Sequence, residues 1–181
     1  MVDQKIIEEC RDGNLQNFRE LIRISTPYAF SVAFRILGDE DTTKDIVQET
    51  LITLWTRLKE IRTPATYKTW LYRIVVNKCY DHLRKSRKQV EKRADEMTWR
   101  LISEHISGEN NSDLENRETA MIVNLLTDRL SPKQKVVFIL SDLEEMDAEE
   151  ISEITGMTRR NIKANLHYAR KNISEMIMKY I

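Results

Sequence analysis

Turn chemistry is scarce in this chain, with four glycines and three prolines in 181 residues. An all-β fold needs a turn after every short strand, and Gly and Pro supply the backbone angles that most such turns require. Too few are present to build one. Apolar residues instead recur at helical spacing over long stretches, so the expected class is all-α. With 41% apolar and 32% charged residues, the cores must be modest. The length suits one domain or two small ones, each near the size where a single core becomes marginal.

Residues 3–12 and 14–37 read as helices separated by Gly13, with Pro27 a candidate break in the second. Phe18, Leu21, Ile22, Phe30, Ala33, Phe34 and Leu37 carry its apolar period. Residues 38–41 read as a turn, and Thr42 with Asp45 three positions on resembles a capping box. The helix it would open runs through Ile46, Val47, Leu51, Leu54, Trp55 and Leu58. Pro64 would break that helix, and an amphipathic segment follows over about 67–88. Residues 89–113 lose the pattern and read as a flexible linker, with a short helix expected around Met97–Ile106. Helical spacing resumes from Leu114 to about Arg129. Ser131, Pro132 and Gln134 form a strong helix start. Asp147 and Glu150 form another capping box, Gly156 ends the helix that follows, and Thr158 can cap the last one.

The formal net charge of zero hides alternating blocks. Residues 1–56 carry net −4, residues 57–93 carry 12 basic and 3 acidic side chains for net +9, residues 94–155 carry net −10, and residues 156–181 carry net +5. Two basic islands flanking an acidic middle suit a protein that grips a polyanion at two places, because each neutralised phosphate releases a condensed counterion.

The second island coincides with a helix, a tight turn at Gly156-Met157 and a second helix, the spacing of a helix-turn-helix. Ala148, Ile151 and Ile154 face the core from the first helix, and Ile162, Leu166 and Ala169 from the second. The other side of the second helix carries Thr158, Arg159, Arg160, Asn161, Lys163, Asn165, His167 and Arg170. Arg and Asn present the forked donors that match guanine and adenine edges in the major groove. His167 has no second metal ligand spaced near it, so a surface or phosphate-contacting role is expected.

The first island interleaves aromatics with bases over residues 66–77. Aromatics stack on unpaired bases while cations follow the backbone, a combination that suits strand-separated DNA. Trp70 shares a face with Leu71 and Ile74 and reads as core. Tyr67 and Tyr72 fit either role. The preceding helix is apolar on more than one side and carries Asp45 and Glu49. It wants a second neighbour, either a partner protein or another helix of its own domain.

Leu37-Gly38-Asp39, Asp45 through Thr50, Leu54-Trp55, Thr69 through Ile74 with Asn77, and Asp81 through Lys85 together resemble region 2 of extracytoplasmic-function sigma factors. Leu130 through Gln134, Glu149 through Gly156, and Ile162-Lys163 with Leu166 through Arg170 resemble their region 4. The resemblance implies two small helical domains: region 2 over 1–90, a linker over 91–113, and region 4 over 114–181. It implies a bacterial transcription initiation factor whose partners are core RNA polymerase and promoter DNA, melted at the −10 element and duplex at the −35 element. Asp45, Gln48, Glu49, Ile52, Leu54 and Trp55 would contact polymerase. Arg62, Tyr67, Lys68, Tyr72, Arg73, Asn77, Lys78 and Arg84 would serve the −10 element. Thr158, Arg159, Arg160, Asn161, Lys163, His167 and Arg170 would serve the −35 element. An anti-sigma partner is common in the family and would cover the basic surfaces. Two departures bear on promoter choice: Arg159-Arg160-Asn161 stands where many relatives have small or acidic residues, and loop 61–66 lacks the Gly common there.

Other classes are disfavoured. A dimeric helix-turn-helix regulator needs a self-complementary face, and no heptad repeat is visible. An enzyme such as a nuclease needs clustered acids or histidines, and here the acids are scattered. No metal or cofactor is expected. Cys10 and Cys79 have no metal-ligand spacing and read as reduced, semi-buried thiols. No stretch approaches the ~20 apolar residues of a membrane span, and the polar start is unlike a signal peptide. A cytoplasmic, soluble protein is expected.

Overall fold

The computed structural model describes residues 4–61, 64–90 and 123–178. Arg62, most of the expected linker and the helix expected around Met97–Ile106 lie outside the described residues. Every regular element described is helical, and the chain divides into two compact units.

The N-terminal helices are α1 (Gln4–Arg11), α2 (Leu15–Leu37), α3 (Glu40–Arg57) and α4 (Pro64–Val90), with a 3₁₀ turn at Leu58–Glu60. Gly13 takes φ +90°, and Asn14 caps α2 by accepting from the Gln16 and Asn17 amides. The expected break at Pro27 does not occur, because α2 runs through it. Pro27 is exposed, so its ring faces solvent. The lost backbone bond is outweighed by the buried stripe of Leu21, Ser25, Ala29, Val32, Ala33 and Ile36. Gly38 stops α2 in the left-handed region at φ +71°, and its amide donates to the Phe34 carbonyl at 2.8 Å.

The start of α3 also differs from expectation. Asp39, not Thr42, is the N-cap, and its carboxylate accepts from the Thr42 amide at 2.8 Å. Asp39 is the first capable side chain after the Gly38 stop, so the helix begins one turn before the sequence reading placed it. Pro64 likewise opens α4 at its first residue, where a missing N–H is harmless. Ile7, Cys10, Leu21, Leu54, Leu58, Ile61, Tyr67 and Leu71 form the core here, with Phe18, Tyr28, Leu51 and Trp70 packed against it. Each fully buried Leu or Ile contributes about 1.5–3 kcal/mol before entropy is counted.

In the C-terminal part, residues 123–127 are helical, followed by α5 (Pro132–Phe138), α6 (Ala148–Thr155) and α7 (Arg159–Met178). The capping box at the start of α5 forms as expected: the Gln134 amide donates to Ser131 Oγ, and the Ser131 amide to Gln134 Oε1. Lys135 is buried, and its Nζ donates to Asn124 Oδ1 at 3.0 Å and Asp128 Oδ1 at 2.8 Å. A buried ammonium needs such partners. α5 does not end cleanly. It widens into a π turn at Ile139–Leu143, and Glu145 then takes the left-handed φ of 55°. Leu130, Ala169 and Ile173, with Phe138 and Met176, pack the α5–α7 contact.

Candidate nucleic-acid and polymerase interfaces

α3 has one buried side and one apolar exposed side. Thr43, Ile46, Val47, Thr50 and Leu54 are buried at helical spacing. Ile52 is 57% and Trp55 45% exposed, so the second apolar side is only partly covered within its own unit. Trp55 leans on Phe18 with ring centroids 4.4 Å apart. Asp45, Gln48 and Glu49 are exposed around this patch. Leu54 corrects the sequence reading: it is fully buried and cannot touch a partner. Its position, seven residues after Val47, puts it on the core side of the helix.

In α4 the interleaved aromatics and bases separate by face. Tyr67 and Tyr72 are buried, which settles their open reading against base stacking. The Tyr67 hydroxyl hydrogen-bonds Ser25 of α2, and burial pushes its pKa up to about 12. Tyr72 meets the edge of Tyr28 at 5.8 Å. Residues 67, 71, 74 and 75 follow the i, i+4, i+7, i+8 spacing of one helix face, which draws Tyr67 into the core beside Leu71. Trp70 is half-buried against that core, as expected. Lys68, Arg73 and Arg84 are exposed, and Asn77 and Lys78 half-exposed. Lys68 lies over the Tyr28 ring at 5.6 Å, Lys78 reaches Glu49 at 3.2 Å, and Arg84 pairs with Asp81 at 3.4 Å.

The helix-turn-helix forms from two local caps. Asp147 Oδ1 accepts from the Glu149 and Glu150 amides at 2.7 and 2.9 Å, and Glu150 Oε2 accepts from the Asp147 amide in return. These amide donors hold the Asp147 carboxyl below its usual range, with a smaller contribution from Arg159. Gly156 takes φ +71°, and Ser152 Oγ donates to the Met157 carbonyl across the turn. Thr158 Oγ1 then accepts from the Asn161 amide and starts α7. Ile162, Ala169 and Ile173 are buried along α7, while Arg159, Arg160, Asn161, Lys163, His167 and Arg170 are exposed with Thr158.

Two acids that sequence reasoning did not single out belong to this face. Glu149 of α6 forms an ion pair with Arg159, and Asp142 of the π turn pairs with Arg170. The second pair spans 28 residues, a separation at which no local pattern signals contact. The two thiols are deeper than expected: Cys10 and Cys79 are 3% and 0% exposed. Among the described residues no His, Cys, Asp and Glu side chains cluster as a metal site, and no helix is long and apolar enough to cross a membrane.

Comparison with known proteins agrees with this arrangement. A model of sigma-70 region 2 matches residues 21–89, and one of sigma-70 region 4 matches residues 120–173. The chain is 30% identical over 142 residues to RNA polymerase sigma factor SigV of Bacillus subtilis, covering 78% of this chain and 80% of that one. It is 22% identical to ECF RNA polymerase sigma factor SigW of Bacillus subtilis, covering 98% and 97%. Among solved structures it is similar to CnrH in complex with the cytosolic domain of CnrY, with a TM-score of 0.62 and 19% identity over 98% of this chain and 97% of that one. The sigma factor RpoE in complex with the anti-sigma factor NepR from Bartonella quintana matches with a TM-score of 0.58 and 20% identity, over 90% and 98%.

Proposed function

The chain belongs to the extracytoplasmic-function sigma factors of bacterial RNA polymerase, and from that membership we propose a division of labour among its exposed faces. A member of this family binds core RNA polymerase and directs it to promoters. The apolar side of α3, with Ile52 and Trp55 ringed by Asp45, Gln48 and Glu49, docks on polymerase. Lys68, Arg73, Asn77, Lys78 and Arg84 follow the backbone of the melted −10 element, joined by Arg62. Thr158, Arg160, Asn161, Lys163 and His167 meet the duplex −35 element, with Arg159 and Arg170 beside them. Residues 1–90 act as region 2, 114–181 as region 4, and the acidic stretch 91–113 as the linker suited to a nucleic-acid channel.

The observation that carries this reading is the order of the two matches in one chain, each laid over an exposed basic face. The chain supplies no chemistry of its own, since the polymerase makes the bonds, and it works in the cytoplasm where the polymerase is. Two similar structures hold a second protein, one of them an anti-sigma factor; a partner of that kind covers the basic faces here. Strand opening draws on binding energy, with unstacking at a few kcal/mol per base offset by contacts to the displaced strand. Run-off transcription with core polymerase on genomic fragments tests the reading. Discrete promoter-dependent products are expected, and their absence across a whole genomic template would refute it.

A further inference from the structure

Arg170 stands on the exposed side of α7, yet its guanidinium is not left to rotate. Nε donates to one carboxylate oxygen of Asp142 at 3.0 Å, and Nη2 donates to the other. Two parallel bonds of this kind fix the plane of the fork. They use two of the five N–H donors and leave Nη1 and one Nη2 hydrogen directed away from the carboxylate. The Asp142 side chain is 22% exposed and that of Arg170 58%, so the acid sits behind and the base in front.

Irregular backbone places the acid. The π turn at Ile139–Leu143 adds a residue to the end of α5, and Glu145 follows in the left-handed region. Asp142 is the fourth residue of that turn, whose wider winding changes the direction in which its side chain leaves the axis relative to an α-helical continuation, and from there it reaches Arg170. On the same exposed side, Lys163, Leu166, His167, Arg170, Lys171 and Ser174 line a shallow groove.

We propose that Asp142 is a positioning residue for promoter discrimination: it holds Arg170 at the edge of this groove so that the outward donors meet one phosphate of a duplex seated in register. The inference rests on the reading that α7 lies against duplex DNA. At a distance the pair is neutral and offers little to a passing polyanion. At contact the oriented fork donates to phosphate without first losing side-chain freedom. Without Asp142, Arg170 becomes an unrestrained cation that attracts any duplex through counterion release. Removing the acid therefore tightens binding to wrong DNA and loosens the advantage of right DNA.

The test uses holoenzyme assembled from the full chain and core polymerase. The probes are a promoter fragment found by start-site mapping and the same fragment with its upstream element scrambled. Wild type is expected to prefer the intact fragment; failure to do so sinks the duplex reading of α7 and this inference with it. Asp142→Asn is expected to narrow the preference about fivefold, the scale of one exposed ion pair, with tighter binding to the scrambled probe. Arg170→Lys keeps the charge but loses the fork, and is also expected to narrow it, so the result does not depend on one variant folding. In an Arg170→Ala background, Asp142→Asn is expected to change nothing more. An unchanged preference in Asp142→Asn, or an equal narrowing with and without Arg170, overturns the proposal.

Discussion

Leu54 and Trp55 are adjacent and have opposite fates. Leu54 is fully buried in the N-terminal core, while Trp55 is 45% exposed and leans on Phe18. Leu54→Ala is therefore expected to lower unfolding stability by about 2–5 kcal/mol, read by denaturant titration, with core-polymerase affinity per folded molecule unchanged. A selective loss of affinity at full stability would contradict the burial. The same contrast explains what single residues of this sequence reveal. Trp70 was legible as core because it shares a face with Leu71 and Ile74. Tyr67 and Tyr72 were not legible, because a tyrosine beside lysine and arginine fits a core edge or a base platform equally well. What decided it was Ser25, 42 residues away, which receives the Tyr67 hydroxyl. Such a partner is chosen by tertiary packing, which leaves no mark on the local pattern.

At the scale of elements, most helices announced themselves through period and caps. Ser131 with Gln134 and Asp147 with Glu150 both formed the reciprocal caps their spacing promised. The boundaries that slipped did so where two capable residues competed: Asp39 lies upstream of Thr42, and only its position after Gly38 shows which one starts α3. Pro27 misled because its exposed site in α2 tolerates a missing donor. The π turn left no trace in composition, and with it went the Asp142–Arg170 contact. The cap on α6 carries a pH signature. Asp147 titrates lower in the folded chain than in the unfolded one because amide donors favour its charged form. Its contribution is present in full above the unfolded value, near pH 4, and is lost as pH falls through the folded value. Asp147→Asn keeps an acceptor but no charge. Thermal melts should show the wild-type advantage steady from pH 7 to about 5 and shrinking below about 4. A gap that widened in acid would mean that Asp147 titrates higher, not lower, in the folded chain.

For the whole molecule, α3 and α7 belong to different compact units, so losses at the two proposed faces should separate. Trp55→Ala is expected to weaken core-polymerase binding by roughly tenfold or more, as exposed interface aromatics do, while leaving duplex contacts intact. Arg160→Ala is expected to weaken promoter binding by a similar factor and to spare assembly with the core enzyme. Paired measurements of core affinity and promoter affinity check both, and parallel losses in either variant would point to fold damage. The alternating charge blocks were the most legible whole-chain feature, since a sum over residues needs no structure. Which cations face outward was not, because that depends on Asp142, Glu149, Glu49 and Asp81 answering particular bases. The buried thiols have a practical corollary. Cys10 and Cys79 are almost wholly covered, and burial lifts the Cys10 thiol above its ordinary range, which keeps it protonated and a poor nucleophile. A cysteine introduced on the outer side of α3 or α7 would then be the reactive one in an otherwise native chain. Fluorophores could be attached there without mutating either natural thiol, and the distance between the faces followed as holoenzyme assembles and finds its promoter.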